Sequence, residues 1–488
     1  MTLAEYSHAP QAGGAQDRGT PAVIQGGMGV GVSGWQLARA VAQTGQLGVV
    51  SGTALDATLA RRLQLGDPGG DLRRALAHFP DRAAAERIVA RYFVAGGVDP
   101  IRPFRPVPRL GLRPSQARTE LIAAANFAEV FLAREGHGGV VGINYLEKIQ
   151  MGTPAAIYGA MLAGVDYVLM GAGIPAHIPA LLRALAAHEA TELPVSVDGG
   201  AAGQHRVSLD PASLTNSQPP PVTRPRFLAI VSSAVLAGYL CRSDATRPDG
   251  FVLETPVAGG HSAPPRGRLR LDEAGEPVYG PRDAIDSHQI AGHGLPFWLA
   301  GGYSTPEQVR AARSAGAAGV QAGTPFALCR ESGIDPRLKN RLLHQAAAGT
   351  LTVRNSAHAS PARFPFKTAE LPGTLTDPDI YAARPRLCDL GYLRVPYLRP
   401  DSGVGYRCPA ESETEYTRKG GSEQDTHGRR CLCNALLATI GLGQRRADGR
   451  TEPPLVTLGQ DLRCLSGLLH RYGGDYSAAD VISYLLDG

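Results

Sequence analysis

Between residues 20 and 330, short apolar runs of strand length alternate with segments in which apolar residues recur every three or four positions. The runs are Ala22–Gln25, Leu47–Ser51, Val140–Tyr145, Val165–Met170, Phe227–Ser232, Gly250–Glu254, Pro296–Ala300 and Ala318–Ala322. Continuous apolar runs suit strands covered on both faces, as in parallel sheets with helices outside. The helix-period segments include Trp35–Gln43, Glu120–Arg134, Ala155–Ala163, Ile178–Ala187 and Pro306–Ala315. The last opens with Thr305 as N-cap and a proline in its first turn. Eight strand–helix units without a reversal signal predict an α/β protein, a closed (β/α)8 TIM barrel rather than an open doubly wound sheet.

Three connections are too long for plain barrel loops: residues 53–118, 195–225 and 262–290. The first and third follow strands two and six, so they are expected to rise from the C-terminal face, where barrels bind substrates. The third reads as a hairpin, Arg266–Leu271 with Glu276–Tyr279, placed to roof the site. The middle one, with Pro219-Pro220-Pro221, reads as a surface excursion. Past Ser332 the alternation stops, and 335–488 reads as a C-terminal extension packed on the barrel of residues 20–334. Within it are expected a helical linker, a hairpin over Tyr392–Tyr406 and closing helices, the last begun by the capping pattern Ser477-Ala478-Ala479-Asp480.

The 488 residues exceed the roughly 250 of a simple barrel, consistent with insertions plus an extension. A formal charge of +5 is small for this length and calls for neither nucleic acid nor an anionic membrane. No apolar stretch approaches a membrane span, and residues 1–19 read as a polar, frayed tail without the features of a signal peptide. Seven cysteines, an odd number in a long chain, argue against a disulfide framework. The expectation is a cytoplasmic enzyme with a small-molecule substrate; a homodimer is left open.

Gly29-Val30-Gly31-Val32-Ser33-Gly34 spells G-x-G-x-x-G between a strand and a helix, the setting of a dinucleotide fingerprint. The next strand, however, ends at Ser51 without the acidic residue that would hold a ribose; Asp56 lies farther on. A better reading is that Gln25-Gly26-Gly27-Met28-Gly29 lets backbone lie flat against a planar ring at a barrel mouth.

Strand seven ends in Ala300-Gly301-Gly302 and strand eight in Gln321-Ala322-Gly323-Thr324, each before a helix. Unobstructed backbone N–H groups, the Thr324 hydroxyl and helix N-termini suit a phosphate, and barrels often bind phosphate at these two loops. Strand six ends in Glu254-Thr255-Pro256-Val257-Ala258-Gly259-Gly260-His261. A histidine beyond two glycines over the cavity is the natural candidate for proton transfer near neutral pH. Arg266, five residues on, could attract an anion, although a loop arginine is more often a solvated charge.

These motifs resemble the nitronate monooxygenase (2-nitropropane dioxygenase) family, which also contains FMN-dependent enoyl-acyl-carrier-protein reductases. Ile24–Gly29, Gly142–Tyr145, Val168–Pro175, Ile230–Ser233, Ala258–His261, Ala300–Gly302 and Gly319–Phe326 carry the resemblance in family order. It implies FMN against Gly26, Gly27 and Met28, with Asn144, Glu254, Gly259 and Gly260 at the flavin. Gly301, Gly302, Gln321, Ala322, Gly323 and Thr324 would grip its phosphate end, and His261 would be the base. The implied reaction is oxidation of alkyl nitronates by oxygen to a carbonyl compound and nitrite; the alternative is an enoyl reductase using NAD(P)H. Many members have Gln at the position of Glu254 and Glu at that of Val257. The His-x-Gly continuation is replaced here by Ser262-Ala263-Pro264-Pro265-Arg266, and short members lack the extension.

Cys388, Cys408, Cys431 and Cys433 all fall in that extension, in the number a zinc or iron–sulfur site needs. They form no C-x-x-C knuckle and read as buried apolar thiols, with no metal expected. Cys241, Cys329 and Cys464 read as isolated core residues.

Overall fold

The computed structural model describes residues 19–215 and 219–487. The polar tail, except for Gly19, lies outside the described residues. Eight parallel strands close into a barrel: Val23–Gln25, Leu47–Ser51, Val141–Leu146, Tyr167–Gly171, Arg226–Val231, Gly250–Glu254, Phe297–Ala300 and Gly319–Ala322. We number them one to eight. Closure joins the first to the last, Val23 facing Val320 and Ile24 facing Gln321. A closed ring has no crevice where strand order reverses, so the G-x-G-x-x-G segment has no Rossmann setting.

Successive strand residues point to opposite sides, which divides the core in two. Ile24, Leu47, Val49, Leu169, Leu228, Val252 and Trp298 pack together. Their strand neighbours Val23, Val50, Val168, Phe227, Phe251 and Val320 pack in the larger cluster that includes the helices. The Trp298 indole N–H donates to the Pro21 carbonyl at 2.8 Å, satisfying the polar atom of a buried ring. The helix Pro306–Ser314 begins with the full capping box, Thr305 bonding to Gln308 N–H and the Gln308 side chain returning to Thr305 N–H.

The insertions differ from expectation in their use. Residues 53–118 contain the helices Leu55–Gln64, Asp71–Leu76 and Arg82–Tyr92, packed against the long helix Gln116–Arg134. Residues 195–225 contribute Arg206–Leu209, paired antiparallel with Thr191–Pro194 outside the barrel. The 262–290 segment forms one isolated bridge, Leu271 with Pro277, rather than two strands. Polar and glycine residues dominate there, leaving little apolar surface to hold a sheet.

The extension holds the helix Pro336–Ala347, the hairpin Val353–Ser356 with Phe366–Ala369, a second hairpin Val395–Leu398 with Val404–Arg407, and later helices. The second hairpin and the closing helix Ala478–Asp487 agree with the sequence pattern; the first was not anticipated. Among the described residues no helix is long and apolar enough to cross a membrane.

Candidate active site

A cavity of about 220 Å³ opens at the C-terminal mouth of the barrel. Its wall gathers Gly26, Gly27, Met28, Asn144, Glu254, Gly259, Gly260, His261, Gly301, Gly302, Gln321, Gly323 and Thr324. Ala322 is the exception among the expected residues, since strand alternation turns its methyl group into the outer core. Its carbonyl instead accepts the Gly26 N–H at 2.9 Å.

Close packing explains the glycines. A Cβ on Gly27 would lie 2.5 Å from the Asn144 Cβ, so the first turn and strand three touch without room for a methyl group. Gly301 has φ +78°, and a Cβ there would collide with the Thr255 hydroxyl, which donates to the Gly301 carbonyl at 2.9 Å. The fingerprint-like loop is tied by Ser33, whose hydroxyl donates to the Gly26 carbonyl at 3.0 Å and accepts the Met28 N–H at 2.9 Å. Gln321 Oε1 is buried without a hydrogen-bond partner, an acceptor left for a ligand N–H.

The roof comes from the extension rather than from 262–290, none of whose residues lines the cavity. Of residues 53–118 only Thr53 and Ala54 reach it. Tyr392, Leu393, Leu432, Leu436 and Leu458 supply an apolar cover, and Cys433 joins them. The Gly459 N–H donates to the Thr324 hydroxyl at 2.8 Å and the Gly260 N–H to the Thr457 hydroxyl at 2.9 Å, fastening the cover to two barrel loops. Asp461 also lines the cavity; hydrogen bonds from Arg463 hold its carboxyl down to about 2. Local sequence offers no signal for these contacts, whose partners lie 135 and 197 positions apart in the chain. Arg266 stays outside the cavity, bonding to Arg282 and Ser232 carbonyls.

His261 Nε2 lies 2.6 Å from Ser360 Oγ, and its ring meets Phe366 edge-on at 4.7 Å. Burial, then the nearby Lys367 and Lys148, pull the imidazole down to about 4, so it is neutral at pH 7. Burial pushes Glu254 up to about 7 against the pull of Lys367. Such opposed groups at a cavity wall mark a place for acid–base chemistry.

In the extension, Cys408 and Cys431 are buried in one small cluster with Cys388 and Cys433 packed against it. Burial holds the Cys431 and Cys433 thiols protonated, while the Cys408 hydrogen bond lowers Cys388. Among the described residues no group of three or more His, Cys, Asp or Glu is arranged to hold a metal ion.

No curated protein matches the chain. Among solved structures it is similar to FabK from Thermotoga maritima, 14% identical over 96% of this chain and 92% of that one, TM-score 0.47. It is similar to nitroalkane oxidase from Streptomyces ansochromogenes, 17% identical over 95% and 94%, TM-score 0.43. A third is the enoyl reductase domain of MlnA from the macrolactin biosynthesis cluster of Bacillus amyloliquefaciens, 12% identical over 96% and 95%, TM-score 0.45. Likenesses this distant say nothing of substrate. Residues 226–364, from strand five into the extension, match the family described as nitronate monooxygenase. That match covers the strand-six histidine loop and the strand-seven glycines of the closed (β/α)8 barrel, so it is in this part of the candidate site that the chain is similar to the nitronate monooxygenase family.

Proposed function

We propose that the protein binds FMN and oxidises alkyl nitronates with oxygen to a carbonyl compound and nitrite. The observation that carries this reading is the His261 imidazole, set on the Gly259-Gly260 loop 2.6 Å from Ser360 Oγ, in the wall of a cavity shared with the glycine turns of strands one, seven and eight. FMN would supply the two-electron acceptor, which no side chain here provides. The residues fit it: the Gly26–Met28 turn packs against Asn144 with no side chain between them, leaving room for a planar ring, and the unpartnered Gln321 Oε1 would accept a ring N–H. Gly301, Gly302, Gly323 and Thr324 would hold the phosphate through backbone N–H groups, as neither Lys nor Arg is among the described residues of the wall. Asp461 faces Gly302, but its charge is engaged by Arg463 and by Gln308.

His261 then has two uses. With a neutral nitroalkane, the unprotonated ring accepts the α-proton; with a preformed nitronate, an N–H orients the anion. The apolar cover of Tyr392, Leu432, Leu436 and Leu458 limits water around the reacting carbon.

Anaerobic mixing of the flavin-loaded protein with an alkyl nitronate, followed separately by NADPH, tests the reading through flavin absorbance. Bleaching by the nitronate and not by NADPH is expected. Rapid bleaching by NADPH with no response to nitronates would select the enoyl reductase instead.

A further inference from the structure

Lys367 is wholly buried, with 0% exposure, and its Nζ has no hydrogen-bond partner. An ammonium hidden from water without a partner is costly, and a chain could replace it cheaply with an apolar side chain if only packing were at stake. Its position is held by the hairpin Val353–Ser356 with Phe366–Ala369, where it pairs in register with Asn355. Cross-strand partners share a sheet face, and Asn355 Oδ1 is likewise buried and unpartnered. The Lys367 N–H donates to the Gly260 carbonyl at 3.0 Å, which binds this strand to the loop carrying His261. Phe366, next in the chain, packs on the His261 ring.

We propose that Lys367 is a positioning residue of the active site, a buried cation from the extension that sets the electrostatic field in which Glu254 and His261 work. The proposal rests on His261 being the acid–base group of the proposed reaction. The charged groups facing Lys367 are Glu254 and Glu276, and those facing His261 are Lys367 and Lys148. Lys367 acts on both cavity groups in one sense: it favours the carboxylate of Glu254 and the unprotonated ring of His261. Its charge also favours an anionic substrate over a neutral one.

The test is a titration of His261 by ring NMR signals in the full-length protein, assigned with H261N and run on wild type, K367M and K367R. This readout needs neither substrate nor turnover. With the cation gone, the His261 midpoint in K367M should rise by about one unit, a tenfold change in proton affinity, while K367R stays near wild type. In turnover with a nitronate, K367M should raise KM more than it lowers kcat. An unchanged His261 midpoint in folded K367M overturns the proposal even if nitronates are oxidised. A shifted midpoint in a protein that ignores nitronates sustains the electrostatic role and sinks the nitronate reading alone. If K367M fails to fold, K367Q, which keeps polarity without charge, carries the same comparison.

Discussion

The Ser360 hydroxyl lies 2.6 Å from Nε2 of His261, a partner 99 residues away in the chain and outside the barrel strands. That contact joins the extension to the histidine loop at the mouth of the barrel. The same hydroxyl accepts the Ala362 N–H at 3.1 Å, so its own position is fixed by the loop before the Phe366–Ala369 strand. Ser360→Ala should leave flavin binding intact and lower kcat/KM by about tenfold, the worth of one positioning hydrogen bond. Steady-state kinetics beside a flavin titration would check this, and lost flavin binding would mean that Ser360 supports the cradle instead.

His261→Asn should retain flavin and reduce turnover of neutral nitroalkanes by roughly 10²- to 10⁴-fold, with a smaller effect on preformed nitronates. Loss of the yellow colour on purification would make His261 structural rather than catalytic.

The depressed His261 sets two pH effects. On the acid side, activity should hold through pH 5 and fall only as the ring protonates near 4. Stability follows the same linkage: below about 6.5 the unfolded chain takes up a proton that the folded ring refuses until about 4. Folding free energy should therefore drop as pH falls across that window, by up to about 3 kcal/mol from this group. Urea denaturation of wild type and H261N between pH 4 and 7 would measure it, and equal slopes in the two proteins would contradict it.

Glycines on the cavity wall should differ in their tolerance of alanine. Gly260 has φ +76° with open space around its Cβ position, so Gly260→Ala should cost about 1–2 kcal/mol of backbone strain. Gly301→Ala adds a collision with Thr255 to a similar φ and should cost more, with weakened flavin retention. Thermal melts with and without added FMN would separate the two effects.

Asp56, the acidic residue that follows strand two, lies 2.5 Å from the buried guanidinium of Arg118 and accepts the Tyr392 hydroxyl at 2.8 Å. Asp56→Asn should destabilise the fold by about 3–5 kcal/mol, because it strands a buried cation. Tyr392→Phe should cost only about 1 kcal/mol. Equilibrium unfolding would rank them, and equal losses would contradict this account.

Local pattern along the chain was enough to place the barrel strands and the glycine turns at their ends. Strand six reads directly as Gly250–Glu254 and helix one as Trp35–Gln43, because apolar periodicity and capping act over a few residues. The glycine turns were legible for the same reason, since Gly26-Gly27 and Gly301-Gly302 follow strand ends whose backbone geometry is local. Ala322 misled because a motif does not show which way a strand residue faces until register is known. The roof was legible only once the chain was folded. The polar segment 262–290 follows strand six and was the nearer choice, but the cover is Tyr392, Leu432, Leu436 and Leu458, and Ser360 and Lys367 complete the surroundings of His261. Those contacts form only when distant segments are folded together, and burial then draws His261 down and pushes Glu254 up.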